Sequence, residues 1–110
     1  MPKISQDYMP ELRDLEEEFA VKPVNESYSA EHFGNASLEL KGPLVWMRIV
    51  RDRGQVFIDM ARPDSEWVDV GGSLEALGLH PRPGEVLSLP EYVKALRSGG
   101  SKVLGSLPPV

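Results

Sequence analysis

Between Met9 and Val21, Leu12, Leu15 and Phe19 recur at spacings of three and four, while Glu11, Asp14, Glu17 and Glu18 fall mostly on the opposite side of the same period. That spacing predicts a helix, with Pro10 tolerated in its first turn and Pro23 stopping it soon after Val21. The period then changes to two. Ala36 to Lys41 alternates, Leu38 and Leu40 pointing one way and Glu39 the other, and Gly42-Pro43 turns the chain into the run Leu44 to Arg51, rich in β-branched and aromatic side chains. Asp52-Arg53-Gly54 turns it again into Val56 to Ala61. These are three consecutive antiparallel strands, or four if the short extended segment Glu66 to Val70 pairs as well.

The remaining segments read as connections and short helices. Asn25 to Asn35 is a loop or irregular strand that Tyr28 and Phe33 pin to the core. Ser73 caps a short helix through Gly78, His80-Pro81-Arg82-Pro83-Gly84-Glu85 is a stiff connector, and a last helix runs from about Pro90 to Arg97 with Tyr92, Val93 and Leu96 on its apolar side. The tail from Ser98 to Val110 holds three glycines and two prolines and is expected to be mobile or loosely docked. The fold predicted is one α+β domain over residues 1–110: a small antiparallel meander of three or four strands, covered by the N-terminal helix, with two short C-terminal helices.

The register of the second hairpin is open at this level. With Asp52-Arg53-Gly54 as a three-residue loop, Val50 stands opposite Val56 and Arg48 beside Ile58. With only Arg53-Gly54 in the turn, Val50 pairs with Phe57 and Arg48 faces Asp59 as an ion pair. Turn chemistry favours the longer loop, because an arginine at positive φ is uncommon and Gly54 adopts it freely. Pair chemistry favours the shorter.

Charge sharpens the picture more than composition does. The chain has 110 residues, 41% apolar and 26% charged, which is ordinary for a soluble domain, and it has no cysteine. Disulfides, thiolate nucleophiles and cysteine-based metal sites are therefore excluded. The whole net charge of −5 sits in residues 1–31, where eight acids oppose three bases; residues 32–110 balance nine against nine. Such a segment attracts basic partners and repels phosphate backbones, which speaks against nucleic acid. Glu16, Glu17 and Glu18 are the centre of it: either a solvated helix face or a contact surface for a basic protein. The longest apolar run is Leu44-Val45-Trp46-Met47, far short of the roughly 20 residues that cross a bilayer. With no apolar stretch near Met1 of the kind that exports a chain, the expected location is the cytoplasm.

Candidate chemistry is sparse. Arginine forks suit carboxylate or phosphate, so Arg51 and Arg53 around the tight hairpin, with Arg48 and Asp59 nearby, mark a candidate docking site for an acidic group or partner. The alternative is that Asp52 starts the turn, the arginines are solvated and Asp59 neutralises a neighbour. Trp67, set among Asp64, Glu66 and Asp69, is a candidate contact residue if exposed and a core residue if not. Enzyme chemistry is poorly supported: His32 and His80 lie in separate loops, no serine stands in a nucleophile setting, and Gly71-Gly72 and Gly99-Gly100 lack the lysine and hydroxyl of a phosphate loop. No metal or cofactor is called for.

The segment Phe33-Gly34-Asn35-Ala36, followed by Leu38, Leu40 and then Arg51-Asp52-Arg53-Gly54-Gln55-Val56-Phe57-Ile58-Asp59, resembles small bacterial proteins, some of them similar to immunity proteins of polymorphic toxin systems. It covers roughly residues 28–79. The resemblance implies a protein that binds and blocks a cognate toxin in the cytoplasm, and it brings no catalytic motif.

Three functions follow as expectations. The first is a protein-binding module of the immunity or antitoxin kind that blocks a basic partner, using Glu16, Glu17, Glu18, Arg51, Arg53 and Trp67. The second is a small enzyme or ligand-binding domain with a pocket between sheet and C-terminal helices, drawing on Arg48, Asp59, His80 and Tyr92. The third is a structural subunit that self-associates through an unpaired edge at Ala36 to Lys41.

Overall fold

The computed structural model describes residues 4–29 and 35–108. Two helices open the chain, α1 (Ile4–Asp7) and α2 (Met9–Phe19). Five strands follow, β1 (Lys22–Ser29), β2 (Asn35–Lys41), β3 (Trp46–Asp52), β4 (Gln55–Ala61) and β5 (Val68–Asp69), and then helices α3 (Val70–Ala76) and α4 (Leu89–Ser106). The strands form one antiparallel sheet in chain order. The α+β class holds, with five strands where three or four were expected.

The additional strand is β1, whose residues include few that favour a pleated sheet. Pro23 suits an edge position, and the ladder to β2 shifts register between Pro23 and Asn25. A second bond holds it: the Glu26 carboxylate accepts the backbone N–H of Ser5 at 2.9 Å and the Ser5 hydroxyl at 2.7 Å, tying β1 to α1. Tyr28, expected to pin this segment, is 37% exposed. Phe33 and His32 lie outside the described residues. Because β1 takes the margin, β2 is an interior strand, and Ala36 to Lys41 is not the unpaired edge that self-association was expected to use.

The hairpin between β3 and β4 takes the shorter turn. Val50 pairs with Phe57, Arg48 with Asp59 and Asp52 with Gln55, leaving Arg53 (φ 52°) and Gly54 (φ 82°) in the left-handed region. This corrects the expectation from turn chemistry, and the core explains why. In the observed register Met47 faces Met60 and Ile49 faces Ile58 on the covered side. A slip of one residue would turn Val56, Ile58 and Met60 outward. Each buried side chain of that kind contributes about 1.5–3 kcal/mol, against about 1–2 kcal/mol for one left-handed non-glycine residue. Asn35 helps further, since its Oδ1 accepts the Arg53 N–H at 3.1 Å.

The covered face carries Ala36, Leu38, Leu40, Met47, Ile49, Val56, Ile58 and Met60, all buried. The cover is shared rather than supplied by one N-terminal helix: α1 lies over β2, α3 and α4 over β4, and α2 packs on α4 through a face that buries Leu12, Leu15 and Phe19. Gly42, in the turn between β2 and β3, packs so close to the end of α2 that a β-carbon there would strike the carbonyl oxygen of Ala20.

Helix α4 begins at a capping box, with Ser88 accepting the Glu91 N–H and Glu91 accepting the Ser88 N–H. It continues well past Arg97. The expected loose tail is helix to Ser106, kinked at Gly99 (φ −131°, ψ 17°), and it buries Val103, with Leu107 buried just beyond. The glycines that read as breakers serve close approach instead. A β-carbon on Gly99 would stand 2.6 Å from a methyl of Leu79, and one on Gly100 would stand 2.8 Å from the tip of the Phe19 ring. Gly100→Ala is therefore expected to lower stability by about 1–3 kcal/mol through overpacking. Gly105→Ala, with open space around it, is expected to raise stability by up to about 1 kcal/mol through helix propensity. Urea denaturation of both variants checks the opposite signs.

Candidate functional site

The residues singled out in the sequence fall in four separate places. Glu16, Glu17 and Glu18 lie in the second half of α2, with Glu17 and Glu18 exposed and Glu16 half-buried. Asp14 faces Glu11, Glu17 and Glu18 at spacings of three and four, so like charges crowd one ridge. The ion pair recorded for it among the described residues is a loose one, Arg97 to Asp14 at 3.6 Å.

Arg51 does not stand on the surface. The observed register puts it on the covered face, 5% exposed, where its guanidinium meets Asp7 of α1 at 2.6 Å. It joins the sheet to the first helix and is not placed to greet a partner. Arg53 remains exposed at the turn.

Arg48 and Asp59 belong to the other face of the sheet, whose side chains are half-buried where those of the covered face are buried, and Trp67 lies against it. Arg48 donates Nε–H and Nη2–H to one Asp59 oxygen, at 3.1 and 2.8 Å. Its guanidinium lies 4.6 Å from the centre of the Trp67 ring. One row further along, the Lys41 ammonium lies 4.0 Å from the centre of the Trp46 ring. Both tryptophans are half-buried, each with a ring face occupied by a cation of its own chain. This face is therefore internally matched, and it lies on the side of the sheet opposite the helical layer that carries the acidic ridge.

The four residues of the pocket reading divide between two sites. Arg48 and Asp59 bind each other on the open face, whereas His80 and Tyr92 line a cleft of about 260 Å³ where α3, the connector after it and the start of α4 meet the margin of β4. Phe57, Asp69, Gly71 and Glu75 also line it. Asp69 sits here because it caps α3, its Oδ2 accepting the Gly72 N–H at 3.0 Å. The cap is Asp69 and not Ser73, and Gly71-Gly72 lies within the helix. Tyr92 is 3% exposed, and its hydroxyl is pushed up to about 12 by burial first and then by the charges of Asp69 and Asp59.

The connector that walls this cleft is tied down at several points. Arg82 donates to both Glu91 oxygens, at 2.9 and 2.7 Å, and pairs with Glu85 at 3.5 Å. The backbone N–H of Arg82 donates to Nδ1 of His80 at 3.0 Å, and Glu75 accepts the Gly84 N–H at 2.6 Å. The Arg82 guanidinium, and next the Ser88 N–H, hold the Glu91 carboxyl down from 4.5 to about 2.

Comparison with protein-family models, with curated proteins and with solved structures finds no match. Among the described residues no helix is long and apolar enough to cross a membrane, and no three acidic or histidine side chains are grouped to hold a metal ion.

Two outcomes test these assignments. Asp7→Ala, which takes a carboxylate away from a buried guanidinium, is expected to cost about 3 kcal/mol, the low end for breaking a buried pair. Asp59→Ala on the half-exposed face is expected to cost about 1 kcal/mol or less, and chemical denaturation compares them. For Glu91 the folded value lies below the unfolded one, so its stabilisation is complete above pH 4.5 and is lost as pH falls toward 2. Glu91→Gln is expected to lower the thermal midpoint at pH 7, with the gap from the parent protein closing between pH 4.5 and 2.

Proposed function

We propose that the chain is a protein-binding module that docks a basic partner through the acidic ridge of α2. The observation that carries this reading is the ridge itself: Glu11, Asp14, Glu17 and Glu18, with Glu16 and Arg13 beside them, crowd one side of a helix whose apolar side is used by Leu12, Leu15 and Phe19, and the ion pair recorded for the ridge among the described residues is Arg97 to Asp14. Like charges at these spacings cost the helix a few tenths of a kcal/mol per pair. A complementary basic surface removes that repulsion and speeds encounter. The resemblance of residues 28–79 to small bacterial proteins, some of them similar to immunity proteins of polymorphic toxin systems, supports the same reading, in which the partner is a toxin blocked in the cytoplasm.

The open face of the sheet supports docking less well. Trp46 and Trp67 are the aromatic anchors an interface would use, but Lys41 and Arg48 already lie on them. The edge of β1 supports self-association less well still, since Pro23 and the register shift beside it interrupt pairing.

The test is affinity capture from the source cell with the parent protein and with the triple variant Glu16→Lys, Glu17→Lys, Glu18→Lys, followed by mass spectrometry at low and high salt. Lysines in the second half of α2 suit the negative end of that helix, so the thermal midpoint is expected not to fall. A basic protein is expected on the parent protein at low salt, released by high salt and absent from the variant. The same proteins on both baits would remove the ridge as the docking surface.

A further inference from the structure

The cleft beside α3 has three properties that together define a ligand. First, Tyr92 is nearly enclosed, yet no hydrogen bond of its hydroxyl is found among the described residues. No fully buried side-chain oxygen or nitrogen lacks a partner among the described residues, so this oxygen must open into the cleft. Second, a β-carbon on Gly71 would stand 3.3 Å from the Tyr92 oxygen and 3.6 and 3.7 Å from the two Asp69 oxygens. The hydroxyl and the carboxylate thus both stand beside Gly71, whose bare Cα leaves the approach to them open where a larger residue would crowd it. Gly71 has no positive φ to account for it, and glycine costs a helix about 1 kcal/mol relative to alanine.

Third, the charge of the cleft is unanswered. Asp69 spends one oxygen on the Gly72 N–H and Glu75 one on the Gly84 N–H, and neither carboxylate is in an ion pair among the described residues. The neighbouring cation, Arg82, is engaged by Glu91 and Glu85. The half-buried ring of Phe57 supplies an apolar wall. A planar group with several N–H donors, a positive charge and a stackable face matches these walls.

We infer that the cleft is the seat for an arginine of the partner, whose guanidinium lies beside Gly71 and donates to the Asp69 carboxylate and the Tyr92 hydroxyl. This rests on the reading of the chain as a binder of a basic protein and names the side chain that such a partner inserts. The raised Tyr92 value agrees with it, because a hydroxyl that stays protonated beside carboxylates is an acceptor as well as a donor.

The probe is N-acetyl-arginine amide, added to the isotope-labelled intact protein and followed by NMR, with the neutral isostere N-acetyl-citrulline amide as control. Saturable shifts are expected at Gly71, Gly72 and Glu75 with the arginine probe, and binding weaker by about tenfold with citrulline, the size of one charge-assisted hydrogen bond. Asp69→Asn keeps the cap of α3, since asparagine caps as well as aspartate, and is expected to weaken the arginine probe by a similar factor; Tyr92→Phe weakens it less. Equal binding of the two probes, no saturation, or an Asp69→Asn variant that binds as the parent does would overturn the assignment, and the asparagine variant decides if Tyr92→Phe does not fold. Partner capture separates this from the parent reading. Capture that survives Asp69→Asn but is lost on reversal of Glu16, Glu17 and Glu18 removes the arginine seat and leaves the docking ridge. A saturable, charge-dependent probe with no captured partner keeps the seat and removes the ridge.

Discussion

One constraint organises this molecule: three neighbouring strands each present a single apolar face, and those faces must lie on the same side. Leu38 and Leu40, Met47 and Ile49, and Ile58 and Met60 meet that demand in a register that no slip of one residue would preserve. The left-handed arginine at the turn, the burial of Arg51 and the direct opposition of Arg48 and Asp59 all follow from it. Helices on the covered side then need only be amphipathic and correctly spaced, and the opposite side is left to side chains that satisfy one another.

How much of this was legible depends on whether a pattern was local. The helix from Met9 and the three central strands are written in periods of 3.6 and two, and they fold where the periods say. Strand β1 carries no such period; its pairing is dictated by β2 and by Ser5, which lies 21 positions away. Gly99 and Gly100 read as an end to the helix because glycine weakens helices, whereas their bareness admits Leu79 and Phe19. At the hairpin, turn preference and one ion pair point opposite ways, and the alignment of the core, which neither contains, decides the register.

The candidate sites show the same division. The acidic ridge was visible because charge and helical spacing are both properties of consecutive residues. Nothing near Arg51 in the chain announces Asp7 as its partner, so the sequence alone points its side chain to solvent. The convergence of Gly71, Asp69 and Tyr92 joins two helices through a residue with no side chain. The signal available in the chain, two glycines after a capping aspartate, lacks a phosphate loop's lysine and points to no other chemistry by itself.

Helix α4 closes over Phe19 at Gly100, so the first and last thirds of the chain complete one another's packing. A ribosome that has made the strands but has not yet released residue 100 holds a meander whose opening helix lacks its seat. The packing of α2 is therefore complete only once translation has passed the kink, and a chain stalled earlier leaves the ring of Phe19 without its cover.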